Sequence, residues 1–266
     1  MNRDTFRRFA YIETCLYWGG GITASQLAQT FEITRQNAQK CLDAYRLLHP
    51  EQMTYQSSLK RHIATDNFQV NYISNKPEVY LDYVRGNQLA AYYWAEEEWT
   101  DLPIYDVDRS FRTYLDSSHV QQVFSALRRQ QTLNIYYHSK SQTYQLVISP
   151  NRLVYASRRY HIRAYCHTWG HYIDVVFSRL LEVSEGFEDW VSGMEDHEWH
   201  QPLTLNFIPN PDLPEQLRQT LLVDYRLTKG VHTITTCKAL KPYVLREMER
   251  IDWKHKISLW ILSSIS

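Results

Sequence analysis

TASQLAQTFEITRQNAQKCLDAYRLL, residues 23–48, decides how the first third of this chain folds. Thr23-Ala24-Ser25-Gln26 is a capping box, in which the Thr hydroxyl accepts from the backbone three residues on and the Gln side chain reaches back. It opens a short helix carrying Leu27, Ala28 and Phe31. After Glu32-Ile33, Thr34 caps a second helix running to about Leu48. Ala38, Cys41, Leu42 and Tyr45 stand in it at i, i+3, i+4 and i+7 and face inward. Outward it shows Arg35, Gln36, Gln39 and Lys40, with Asn37 near its start. Upstream, Phe6, Phe9, Ala10, Ile12, Leu16 and Tyr17 give an amphipathic helix from Arg3 to Trp18, stopped by Gly19-Gly20-Gly21. Downstream, Met53-Thr54-Tyr55, the turn Gln56-Ser57-Ser58 and Lys60-Arg61-His62-Ile63 read as a small hairpin.

Two short helices joined by a tight turn, the second exposing Arg, Gln, Asn and Lys, meet the requirement for reading a major groove. Arg can be bidentate to guanine, and Gln or Asn to adenine. Thr34, Arg35, Gln36, Asn37, Gln39 and Lys40 are therefore the expected DNA-reading residues. The hairpin is a wing whose Ser58, Lys60 and Arg61 are placed to touch phosphates. An ordinary three-helix domain with a solvated polar face is the competing reading. The consecutive Thr caps, the chemistry of the exposed face and the wing together outweigh it.

The 266 residues carry 29 Lys+Arg and 29 Asp+Glu, and 44% are hydrophobic and 14% aromatic. A disordered tail, a collagen and a coiled coil are excluded, and two or three domains are expected. Zero net charge argues against a nucleic-acid partner only if the charges are evenly spread, and they are not. Residues 1–62 are net +3, 63–116 net −6, 117–180 net +7, 181–201 net −7 and 202–266 net +3. Such asymmetry points to anionic partners. Cys15, Cys41, Cys166 and Cys237 form no CxxC pair or disulfide framework, so a reducing cytoplasm is expected. No window approaches the ~20 apolar residues that cross a bilayer.

Residues 76–100, around Trp94, read as a helical acidic connector. Ser118 is expected to cap a helix through Val120, Val123, Phe124 and Leu127. Five β runs follow: 133–137, 144–148, 152–155, 159–166 and 171–177, suggesting a small, strongly bent sheet or barrel. Alternation in 159–166 puts Arg159, His161, Arg163 and Tyr165 on one face, with Tyr160, Ile162, Ala164 and Cys166 in the core. Two guanidiniums and an imidazole at two-residue spacing repel one another unless an anion or carboxylates answer them. With only Asp174 as an acid in that block, a bound anion is the economical explanation, and Arg179 can join the same site. Further on, strand, helix, strand and helix succeed one another at 203–207, 214–222, 231–235 and from Pro242, the last carrying Val244, Leu245, Met248 and Ile251. This is a small α+β unit.

At these residues the chain resembles the WYL-domain transcriptional regulators of bacteria, most of all the subgroup that accompanies phage-defence loci such as BREX and CBASS. The resemblance rests on Ile148-Ser149-Pro150-Asn151-Arg152-Leu153-Val154-Tyr155, on Arg159-Tyr160-His161-Ile162-Arg163-Ala164-Tyr165 and on Phe177-Ser178-Arg179-Leu180. Tyr160-His161-Ile162 stands where the family has Trp-Tyr-Leu, a departure bearing on ligand preference. The resemblance implies an Sm/SH3-like barrel, an effector pocket of Tyr137, Ser149, His161, Arg163 and Arg179, which Arg152 and Arg159 are expected to join, and a carboxy-terminal extension that mediates dimer contacts. Guanidiniums suit phosphate and the rings can stack on a base, so the implied effector is a nucleotide or oligonucleotide.

The expected fold is thus multidomain α+β. A winged helix-turn-helix fills 1–70, a helical connector 71–116, a WYL barrel 117–195 and an α+β dimerisation domain 196–266. The expected function is a homodimeric, cytoplasmic, DNA-binding repressor of a phage-defence operon, reading an inverted-repeat operator and responding to an anionic effector. No cofactor, metal, membrane or catalytic residue is expected. An RNA or single-strand binding module is the first alternative, and a phosphodiesterase the second. The latter is disfavoured by the lack of a P-loop, GxSxG, HExxH or paired-Asp motif. Cys166, His167 and His171 make a weak metal set, and Glu96-Glu97-Glu98 and Asp106-Val107-Asp108 read as solvated charges.

Overall fold

The structure is a computed structural model that describes residues 3–85, 107–111 and 113–266. Helices α1 (Arg3–Tyr17), α2 (Ala24–Phe31) and α3 (Arg35–Leu48) precede a hairpin of β1 (Met53–Gln56) and β2 (Arg61–Ala64). Both expected caps form: Thr23 Oγ1 accepts from Gln26 N at 3.1 Å, and Thr34 Oγ1 from Asn37 N at 3.2 Å. Phe9, Ile12, Leu27, Ala38, Leu42 and Tyr45 are buried together, so the three helices enclose one core. Ile22 bridges to His62 and ties the wing to the start of α2.

Helix α4 (Pro77–Val84) is the described part of the expected connector. Residues 86–106, with Trp94, Glu96–Glu98 and Asp106, and residue 112 lie outside the described residues. Asp108 pairs with Arg158 at 3.0 Å. Helix α5 (Ser117–Arg129) is capped by Asp116 rather than by Ser118. The Asp116 carboxylate accepts from the N–H groups of Ser118 and His119, satisfying two donors where Ser118, already inside the helix, can satisfy neither.

The central sheet is five-stranded and antiparallel: β3 (Leu133–His138), β4 (Thr143–Ala156), β5 (Arg159–Cys166), β6 (His171–Val176) and β7 (Leu180–Glu185), in the order β6-β5-β4-β3-β7. The count of five stands, but its members differ from the expected runs. Residues 144–148 and 152–155 belong to one strand, because Pro150 sits at a β-bulge rather than in a turn, where its missing N–H costs no ladder bond. The fifth strand is β7, in what reads as an acidic connector. A three-residue 3-10 turn joins edge strands β6 and β7, so the sheet curls on itself. Val120, Val123 and Phe124 of α5 pack into its core with Ile135, Leu146 and Ile148, each such side chain contributing about 1.5–3 kcal/mol on full burial.

After α6 (His197–His200), the carboxy-terminal unit consists of β8 (Pro202–Pro209), α7 (Glu215–Asp224), β9 (His232–Cys237), α8 (Lys241–Met248), the short pair β10 (Ile251–Asp252) and β11 (Ile257–Ser258), and β12 (Trp260–Ile265). Its sheet order is β12-β8-β9. Ile251 is exposed in β10 instead of completing the inner face of α8, and β12 is an unforeseen strand whose Trp260 fills the core. Among the described residues, no helix is long and apolar enough to cross a membrane.

Candidate nucleic-acid interface and anion pocket

Arg35, Gln36, Asn37, Gln39 and Lys40 are all exposed on α3, one face round from the fully buried Ala38, Leu42 and Tyr45. Gln39 donates to Asp43 at 3.2 Å, and Asp43 also holds Arg46 at 3.3 Å, which orients the outward face. Thr34 is the cap of this helix. Replacing it with alanine orphans the Asn37 N–H and is expected to cost about 1 kcal/mol, read by urea denaturation. An unchanged midpoint would refute that role. In the wing, Ser58 and Lys60 are exposed in the turn, whereas Arg61 is half-buried and lies back along Gly21.

What holds α3 from behind is invisible in local pattern. The Glu13 carboxylate, fully buried in α1, accepts from Tyr45 OH at 3.0 Å, Asn71 N at 2.9 Å, Asn71 Nδ2 at 3.2 Å and Tyr72 N at 2.8 Å. Burial and the adjacent Glu13 charge push the Tyr45 hydroxyl well above its ordinary value, so it stays a donor.

A second candidate site is a cavity of about 600 Å3 on the central sheet, lined by Tyr137, Lys140, Ser157, Arg159, His161, Asp174, Val176 and Arg179 and by Pro242, Tyr243 and Arg246 of α8. Among the described residues, no carboxylate forms an ion pair with Lys140, Arg159, Arg179 or Arg246. Ser157 Oγ and His161 Nε2 are buried here without a hydrogen-bond partner, and Asp174 Oδ1 lies 3.5 Å from Arg163 Nη1. Burial, with the charges of Arg159, Arg246 and Arg179, lowers the His161 pKa, and burial raises that of Asp174. Tyr243 OH meets His161 Nδ1 at 3.2 Å.

Tyr137, Arg159, His161 and Arg179 are thus brought together as expected, but Ser149, Arg152 and Arg163 are not among the lining residues. Arg163 is 4% exposed and forked onto Asp196, at 2.7 Å from Nε and 2.9 Å from Nη2, with Asp174 at 3.5 Å. Ser149 Oγ bonds His167 Nε2 at 2.8 Å and accepts from Val191 N at 3.0 Å. Arg152 donates to Gly193 O and lies 4.8 Å over the Trp199 ring. All three side chains fasten residues 190–199 across the bulged strand. The carboxylates that answer Arg163 come from Asp196 and Glu198 as well as Asp174, so no bound anion is needed to explain it. Lys140, Ser157, Tyr243 and Arg246 were not expected in the site. Lys140 and Ser157 sit in turns, and the two α8 residues arrive from about 80 positions away, where no local spacing could announce them.

Residues 4–86 match the BrxR transcriptional regulator winged helix-turn-helix domain, 118–184 the WYL domain, and 202–253 the BrxR transcriptional regulator C-terminal dimerization domain. The chain is 28% identical over 246 residues to the DNA-binding transcriptional repressor CapW of Escherichia coli (strain KTE188), covering 91% of this chain and 82% of that one. It is 25% identical over 258 residues to the CapW repressor of Stenotrophomonas maltophilia and 25% identical over 246 residues to that of Pseudomonas aeruginosa, with the same coverage.

Proposed function

From a chain assembled of a BrxR winged helix-turn-helix, a WYL domain and a BrxR C-terminal dimerization domain, and homologous to CapW repressors, we propose a homodimeric DNA-binding transcriptional repressor. The observation that carries this reading is the α3 face, where five polar side chains suited to base edges stand exposed on a helix locked from behind. Two such helices in a two-fold dimer suit an inverted-repeat operator. The regulated genes, by the subgroup resembled, are a phage-defence operon. With 29 acids against 29 bases the chain carries no overall basic excess, so random DNA is held weakly and specificity falls to a few α3 contacts.

The effector is an anion of nucleotide or oligonucleotide type held in the pocket of the central sheet. Four cations without carboxylate partners among the described residues, with Ser157 Oγ and His161 Nε2 buried and unbonded beside them, support this, and Tyr137 and Tyr243 offer rings for a base. Because α8 of the dimerisation domain forms one wall, a ligand spanning Arg179 and Arg246 favours one placement of that domain. Only such a difference in affinity between arrangements shifts DNA binding.

Gel shifts with the duplex upstream of the protein's own gene test the reading. Arg35→Ala and Gln39→Ala are each expected to weaken the specific shift by about 1–3 kcal/mol, roughly five- to 150-fold. Arg179→Ala is expected to bind the same duplex normally and to lose the response to a dinucleotide. Duplex binding that survives both α3 changes but falls on substitution of Arg159 and Arg179 would overturn the repressor reading in favour of a single-strand binding module.

A further inference from the structure

Between the winged domain and α5 runs a groove outside both sites described above. One side is Gly19, Gly20, Gln26 of α2, Leu59 of the wing turn and Arg61 of β2, and the other is Ser125, Arg128 and Arg129 of the last turns of α5. The cavity is about 490 Å3 and adjoins a second of about 380 Å3 that shares Gly20, Ser125 and Arg128 and is lined by Tyr17, Trp18 and Phe68. Three guanidiniums therefore converge, and among the described residues no carboxylate pairs with any of them. Like charges held together in this way repel one another unless an anion answers them.

The groove is also preorganised. Arg128 donates through Nη2 to the Trp18 carbonyl and lies 5.8 Å from the Phe124 ring centroid. Burial, then the charges of Arg129 and Arg61, push its guanidinium below the ordinary value. The Arg61 stem packs on Gly21, whose φ is +124° and where a Cβ would stand 2.5 Å from His62 O and 2.8 Å from Arg61 Cδ, so no other residue leaves that stem in place. Trp18, 1% exposed, lines the adjoining space with its Nε1–H unpartnered, and Tyr17 stacks on Phe68 at 5.9 Å. A buried donor without an acceptor in the space adjoining Arg128, next to a groove of three guanidiniums that no carboxylate answers among the described residues, is the complement of a phosphate group with an attached ring.

We propose that this groove binds a phosphate group between Arg61, Arg128 and Arg129, and that its occupancy fixes the winged domain against the central sheet. Two sources share that chemistry: the backbone of the duplex gripped by the wing, which rests on the repressor reading, or a free nucleotide, which does not. Either would brace a joint that already packs Ala10 and Trp18 into the core of the central sheet and is tied by Arg128 to the Trp18 carbonyl and by Gln121 Nε2 to the Tyr17 carbonyl at 3.0 Å. The DNA-reading domain would then answer to this groove as well as to the pocket on the central sheet.

The test uses full-length protein carrying Arg179→Ala, to silence the other pocket, with and without Arg61→Ala plus Arg129→Ala. Loss of a backbone contact is expected to weaken specific and random duplexes alike, about tenfold, and to lower the slope of log K against log salt by about 2. Loss of a free-nucleotide contact is expected to weaken adenosine monophosphate binding by about tenfold or more, with Arg129→Ala alone leaving duplex isotherms unchanged. Either result supports the groove and identifies its source. If the added substitutions change neither isotherm, the proposal is overturned. A parent protein that binds no duplex at all defeats the repressor reading, while the adenosine monophosphate arm still decides the groove.

Discussion

Arg163→Ala is expected to cost about 3–5 kcal/mol of stability, because it leaves the Asp196 and Asp174 carboxylates buried without their cation. In a chain of this size that is a fall in melting temperature on the order of 10 °C. Side-chain exposure of 5% for Arg163 and 2% for Asp196 leaves water little room to compensate. Arg163→Lys should recover only part of the loss, since one ammonium cannot reproduce the two parallel bonds to Asp196. Arg179→Ala, which breaks no ion pair, is the control and should melt within about 2 °C of wild type. The loss at Arg163 should also depend on acid. Burial raises the Asp196 carboxyl, but hydrogen bonds and charge from Arg163, with the Trp199 N–H, outweigh it and hold the net value below the ordinary one. An acid depressed in the fold stabilises fully above its unfolded value near 4 and gives that up as pH falls through the folded one. The gap between wild type and Arg163→Ala should therefore be widest near neutrality and narrow below about pH 4. Equal melting of the two proteins at pH 7 would refute the account.

Glu13→Ala is the second large effect. It strips the acceptor from Tyr45 OH, Asn71 N and Tyr72 N at once, and both Glu13 and Tyr45 are shut off from solvent. At about 1–3 kcal/mol for each buried donor left unmade, a loss of roughly 3 kcal/mol or more is expected by thermal or urea denaturation. Glu13→Gln keeps the shape but turns an amide NH2 toward donors, so it should fall between. Because Tyr45 is on the inner face of α3, both variants should also weaken specific duplex binding without altering any residue that touches DNA. Stability within about 0.5 kcal/mol of wild type for Glu13→Ala would show the network to be dispensable.

Arg163 and Glu13 mark where a local reading stopped. Alternation places Arg163 correctly on the same face as Arg159 and His161, and that face carries the pocket. It cannot say that a carboxylate 33 positions later closes on one of the three. Glu13, seen in isolation, is one polar residue in an amphipathic helix, and its four donors lie 32 to 59 positions away. The same limit explains β7 and β12, which carry exposed polar residues among their apolar ones and are recruited by partner strands. It explains Arg61 too, drawn back against Gly21 by the bridge between Ile22 and His62.

Taken alone, the sequence determined whatever depends on neighbours within about one helical turn or one strand. That includes the two Thr caps, the inner and outer faces of α3, the wing, the apolar and charged faces of β5 and the segregation of charge along the chain. Cap bonds and side-chain periodicity are set by the covalent spacing of a few residues, so they survive in one dimension. Tertiary structure alone decided which charges are answered and which remain open. It spent Arg163, Arg152 and Ser149 on a strap from residues 190–199, supplied Tyr243 and Arg246 to the pocket and brought Arg61 to Arg128 and Arg129. Whether a buried guanidinium is satisfied or waiting for a ligand depends on carboxylates within about 4 Å in space, and sequence spacing does not encode that distance.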